Sequence, residues 1–152
     1  MLISSTPFAP FHQITAMPRQ CNIIYYTDDD ADDHYFFAAA LRKIRPGVTL
    51  QSFYSCGDVL TNLKDESKDL PDLIFLDHNM PGNSGNQCLI EMKRTARIKH
   101  IPVVMYTTSG TPALVASAAE HGAFQFVIKP DELIAISGRL AAVIADFESL
   151  EG

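Results

Sequence analysis

No apolar run in this chain approaches the roughly 20 residues that a helix needs to span a bilayer. The first 20 residues also lack the basic start and continuous apolar stretch of a signal peptide. These absences point to a cytosolic protein that does not enter the membrane. Positive charge is scarce: Lys and Arg number 12 against 18 acidic residues, for a net charge of −6. That balance argues against a nucleic-acid surface, which needs clustered cations to replace counterions. The single basic cluster, between Lys93 and Lys99, reads as a solvated helix end. Cysteine is sparse and odd in number, with Cys21, Cys56 and Cys88 showing no C-x-x-C spacing. Reduced, mostly buried thiols are expected rather than a disulfide frame or a zinc site. Internal repeats and low-complexity stretches are missing too.

What is present is enough apolar material for one core: 152 residues, 47% of them hydrophobic, make one domain. Residues 1–20 carry Pro7, Pro10 and Pro18 without periodicity, and are expected to form a loosely ordered, flexible extension. Residues 21–150 alternate between two patterns. Short apolar runs at Asn22–Thr27, Val48–Tyr54, Asp72–Leu76, Ile101–Tyr106 and Phe124–Ile128 predict buried strands. Between them, 3.6-residue spacing predicts helices: one reaching Arg45, then Asp58 to about Asp65, Gly85 to about Ala96, Pro112–His121, and Asp131 to about Phe147. Pro46-Gly47 stops the first, while Pro112 and Gly122 suit the start and stop of the fourth. Five continuous-apolar strands alternating with five helices imply a doubly wound α/β fold, its parallel sheet covered on both faces.

Such sheets bind ligands beyond the carboxyl ends of their strands. The first strand ends in Asp28-Asp29-Asp30, the third in Asp77, the fourth in Thr107-Thr108 and the fifth in Lys129-Pro130. Three carboxylates sharing one pocket repel one another at neutral pH. A hard divalent cation such as Mg²⁺ relieves that repulsion through oxygen ligands and leaves room for a phosphate. Thr107 is placed to donate to a phosphoryl oxygen, Lys129 to pair with its charge, and one carboxylate to act as nucleophile.

The ordered set Tyr26-Thr27-Asp28-Asp29-Asp30, Asp77-His78-Asn79-Met80-Pro81-Gly82-Asn83-Ser84-Gly85, Met105-Tyr106-Thr107-Thr108 and Phe126-Val127-Ile128-Lys129-Pro130 resembles the receiver domain of two-component response regulators, over about Asn22 to Phe147. The resemblance implies the flavodoxin-like fold with strand order 2-1-3-4-5. It implies Asp77 as phosphoacceptor and a Mg²⁺ site of Asp28, Asp29, Asp77 and the backbone carbonyl of Asn79. It further implies Thr107 as switch hydroxyl, Lys129 as phosphate partner, Phe126 as the aromatic that turns with Thr107, and a cis Lys129–Pro130 peptide. Thr108 departs from the pattern, where a smaller residue is usual, and its methyl is placed to crowd the entrance. His34, His78 and His121 are expected to be ordinary surface or packing residues, and Asp30, Asp32 and Asp33 to serve the first helix's N-terminus.

The expected protein is a regulatory phosphoacceptor rather than an enzyme. Its partner is a sensor histidine kinase or a histidine phosphotransfer protein. Only 23 residues follow Lys129, so no attached effector is expected, and output is expected through protein contacts, including a homodimer through the fourth helix, fifth strand and last helix. Two rivals remain. A haloacid-dehalogenase-type phosphatase needs a second Asp two positions after the nucleophile, where Asn79 stands. A phosphorylation-independent pseudo-receiver would not need the intact set of Asp28, Asp29, Asp77, Thr107 and Lys129.

Overall fold

The computed structural model describes residues 19–150. The expected flexible extension falls outside them, apart from Arg19 and Gln20. Ten elements alternate: β1 (Ile23–Thr27), α1 (Ala31–Ile44), β2 (Thr49–Phe53), α2 (Cys56–Lys64), β3 (Leu73–Leu76), α3 (Gly85–Arg94), β4 (Val103–Thr107), α4 (Pro112–Glu120), β5 (Gln125–Ile128) and α5 (Leu133–Glu148). The strands form one parallel sheet in the order β2-β1-β3-β4-β5, as the resemblance implies.

Successive side chains of a strand face opposite sides, so β1, β3 and β4 feed two cores at once. Ile24, Tyr26, Leu73, Phe75, Val104 and Tyr106 face α1 and α5, where Phe37, Ala40, Leu41, Ile136, Leu140 and Phe147 meet them. Tyr25, Ile74, Leu76, Val103 and Met105 face the other helices, against Val59, Leu63, Cys88, Leu89 and Ala118. Each large side chain so buried contributes about 1.5–3 kcal/mol. The expectation of five fully covered strands fails at the two edges. β2 leaves Gln51 and Ser52 exposed because only β1 pairs with it, and β5, paired only with β4, leaves Ile128 exposed.

Local chemistry sets the helix ends. Asp30 accepts hydrogen bonds from the Asp32 and Asp33 amides and caps α1. Ser55 accepts from the Asp58 amide, so α2 starts at Cys56, two residues before its predicted start. Ser84 and Gln87 form a reciprocal capping box at α3. Only Ala118 of α4 is fully buried, so this helix rides shallowly on the sheet. Leu133 is exposed at the start of α5.

Two covalent and ionic ties were not anticipated. Cys56 and Cys88 are paired as a disulfide between α2 and α3, their Cα atoms 5.8 Å apart, where reduced thiols were expected. Facing first-residue and mid-helix positions on neighbouring helices bring the sulfurs together, which spacing along the chain does not reveal. Cys21 remains a buried free thiol, and burial pushes its pKa up to about 12. At the C-terminal end of α5, Glu148 accepts two hydrogen bonds from the Arg45 guanidinium and one from the Cys21 amide, joining α1, β1 and α5. No helix among the described residues is long and apolar enough to cross a membrane.

Candidate functional site

Parallel pairing brings the strand ends to one edge. The Asp77 amide donates to the Thr27 carbonyl at 2.9 Å, and the Lys129 amide to the Thr107 carbonyl at 2.8 Å. The end of β3 is thereby fixed beside that of β1, and the end of β5 beside that of β4. One oxygen from each of Asp28, Asp29 and Asp77 lies within 4.8 Å of the others. Asp28 and Asp77 are buried, while Asp29 is exposed at the mouth.

Gly85 makes this geometry possible. The start of α3 folds back onto the end of β3, and the Gly85 amide donates to the His78 carbonyl at 2.9 Å. A Cβ at position 85 would overlap the Asp77 carbonyl oxygen and stand 2.6 Å from His78 Cα. The glycine that closes the Asp77–Gly85 motif is therefore a matter of space beside the backbone of Asp77.

Lys129 reaches into the cluster with its side chain 7% exposed. Its ammonium lies 2.6 Å from Asp28 Oδ2, 2.8 Å from Asp33 Oδ2 and 3.4 Å from Asp77 Oδ1. Burial works against that positive charge, but the hydrogen bonds to Asp28 and Asp33 outweigh it and keep the ammonium protonated above its ordinary range. Asp77 is pushed up to about 6, first by burial and then by the charge of Asp28, with Lys129 pulling in the opposite direction. Thr107 is fully buried and accepts a 3.4 Å hydrogen bond from the Asn79 side-chain amide. Phe126 is half-buried on β5 opposite Met105, and its ring edge lies close to Gly110. Thr108 is exposed and lines a depression with Lys129, Asp33 and Phe36.

Three residues at the site were read differently or overlooked in the sequence. Asp33 was assigned to the helix N-terminus, yet its carboxylate pairs with Lys129. Tyr26 donates its hydroxyl to Asp28 Oδ2 at short range, and burial followed by the neighbouring Asp28 charge raises its phenol pKa. His34, expected on the surface, is buried with Nε2 2.8 Å from the Asp28 carbonyl and its ring against Tyr54. Its polar neighbours Asp32, Asp33 and Tyr35 disguise a position that the helix turns inward. The Lys129–Pro130 peptide is trans, against the cis bond that the resemblance implied. The predicted N-terminal role of Asp30 does hold, since Asp30 caps α1.

The donor set fits a small divalent cation. Three carboxylates, Asp28, Asp33 and Asp77, converge on the Lys129 ammonium, and Asp29 stands beside Asp28 and Asp77 at the mouth. Hard cations take such oxygen ligands, and the excess negative charge is the kind that a divalent ion offsets.

The family model for the response regulator receiver domain matches residues 24–140. The phosphate regulon transcriptional regulatory protein PhoB of Escherichia coli (strain K12) is 38% identical over 74 residues, covering 49% of this chain and 32% of PhoB. The two-component response regulator ARR8 of Arabidopsis thaliana is 38% identical over 61 residues, covering 40% of this chain and 27% of ARR8. The chain thus spans about a third or less of these two relatives. Among solved structures, the phosphorylated cyanobacterial phytochrome response regulator RcpA superposes with a TM-score of 0.77 at 21% identity, covering 84% of this chain and 94% of RcpA. The Mn²⁺-bound form of response regulator Rcp1 gives a TM-score of 0.75 at 23% identity, covering 85% of this chain and 96% of Rcp1. Sheet order, acid pocket and family match agree: the chain belongs to the response regulator receiver domain family of two-component signalling.

Proposed function

We propose that residues 21–150 act as a phosphorylation-dependent signalling switch in the cytoplasm, with Asp77 as phosphoacceptor. The observation that carries this reading is the convergence of Asp28, Asp29 and Asp77 with Lys129 at the carboxyl edge of the sheet. A Mg²⁺ ion held by Asp28, Asp29, Asp77 and the Asn79 carbonyl would supply charge neutralisation for the transferring group. The donor is the phosphohistidine of a sensor histidine kinase or a histidine phosphotransfer protein. An Asp77 carboxylate oxygen attacks the phosphorus. The P–O bond forms as the P–N bond breaks, and the imidazole leaves with a proton. Lys129 stabilises charge spread over the phosphoryl oxygens. The acyl phosphate carries about −1.5 to −2 charges.

Thr107 then turns its hydroxyl toward the phosphoryl group, and Phe126 follows inward beside Gly110. The face of α4, β5 and α5 is thereby altered, and it passes the signal to a protein partner or a second copy of the chain. The role is that of a regulatory phosphoacceptor, which assists its own phosphoryl transfer and hydrolysis. The test is incubation with a small phosphodonor and Mg²⁺, followed by the intact mass. A gain of about 80 Da, the mass of a phosphoryl group, is expected for the native chain and none for Asp77→Asn. Equal labelling of the two would remove Asp77 from the mechanism.

A further inference from the structure

Lys129 has more anionic partners than its proposed task needs. An ammonium has three donors. Two are engaged by Asp28 at 2.6 Å and Asp33 at 2.8 Å, and Asp77 comes third at 3.4 Å. The third donor can close on a phosphoryl group at Asp77 only as the ammonium shifts away from one of the other two.

The two competitors are not equivalent. Asp28 is fully buried and also accepts from the Tyr26 hydroxyl and the Asp30 amide. Stripping a partner from a buried carboxylate is costly. Asp33 makes one side-chain hydrogen bond among the described residues, to Lys129, and a third of its side chain faces solvent. Water can take over its carboxylate when the lysine leaves. The Asp33 contact is therefore the one that yields, and its strength is subtracted from whatever the lysine gains on the phosphoryl group.

We infer that Asp33 is a positioning residue that holds the Lys129 ammonium back from Asp77 and so weakens the site's grip on a phosphoryl group. The inference rests on the proposed phosphoacceptor role of Asp77. Asp32 supplies the control. It neighbours Asp33 in the first turn of α1, carries the same charge, and is exposed without a contact to Lys129.

The test titrates the full chain with beryllofluoride, a phosphoryl mimic, at saturating Mg²⁺, followed by ¹⁹F NMR. Asp33→Asn is expected to bind about fivefold more tightly, matching the upper range for a partly exposed ion pair. Asp32→Asn is expected to stay within about twofold of the native chain, since solvent screens its charge. Asp33→Glu, which keeps a carboxylate in reach, is expected to restore the native affinity. A purely structural role for Asp33 would weaken binding rather than tighten it. Unchanged or weaker binding by Asp33→Asn, or equal tightening by Asp32→Asn, overturns the inference while native binding sustains the phosphoacceptor reading. Absence of saturable binding to every variant overturns both.

Discussion

Asp77 stands 3.4 Å from the Lys129 ammonium, close enough to pair yet farther than either of that lysine's other carboxylate partners. Asp77 is thus held in a pocket where its own charge is incompletely compensated. Burial and the adjacent Asp28 raise its pKa to about 6, and those two influences have thermodynamic consequences.

The first consequence is a stability that depends on pH in metal-free buffer. The Asp77 pKa rises from its ordinary 3.8 to about 6 on folding. The native state therefore keeps its proton to higher pH than the unfolded chain. Below pH 3.8 the group costs nothing. As pH rises toward 6 the cost grows, to about 3 kcal/mol at most, using 1.36 kcal/mol per unit. Asp77→Asn removes that charge. In EDTA it is expected to melt several degrees above the native chain at pH 7.5, with the difference shrinking toward pH 4. A gain independent of pH, or a loss at pH 7.5, would contradict the stated cause.

Gly85 is expected to be intolerant of even one methyl group. Its missing Cβ is what allows α3 to abut the Asp77 and His78 backbone. Gly85→Ala should cost about 1–3 kcal/mol in urea denaturation, as overpacking does. It should also slow phosphodonor labelling, because the displaced backbone carries Asp77, the proposed acceptor. An alanine variant within 0.5 kcal/mol of native, labelled at the native rate, would show that the loop yields freely.

The Cys56–Cys88 bond closes a loop across 32 residues. Chain-entropy arguments give such a crosslink about 3–4 kcal/mol. Alkylation of the unfolded, unreduced chain is expected to modify one thiol, Cys21, and reduction beforehand to expose all three. The reduced protein should melt at a lower temperature. Three alkylated thiols without reduction would contradict the pairing.

Much of this was legible in the sequence, for a physical reason. β1, β3 and β4 are buried on both faces, so apolar runs had to mark them, and the polar residues that end them stand out. That contrast exposed Asp28, Asp29, Asp77, Thr107 and Lys129 together. β2 was misread because Val48, Leu50 and Phe53 look apolar, whereas burial depends on its edge position. Asp33 and His34 escaped because their partners, Lys129 and the Asp28 carbonyl, depend on how α1 turns against the sheet. Cys56 and Cys88 lie on separate helices, and only packing brings them together. The trans Lys129–Pro130 peptide departs from what the family resemblance implied, and nothing in the local residues foretold it.

The central claim is that Asp77, among several crowded carboxylates, is the residue that takes the phosphoryl group. Its most direct test is chemical mapping of the modified residue. The chain is incubated with a small phosphodonor and Mg²⁺, the acyl phosphate is reduced with borohydride, and the peptides are sequenced by mass spectrometry. Borohydride converts a phosphorylated aspartate to homoserine and leaves free carboxylates intact. Homoserine at position 77, with Asp28, Asp29 and Asp33 unmodified, is the expected result. Homoserine at any of those three instead, or at none of the four, would contradict the account.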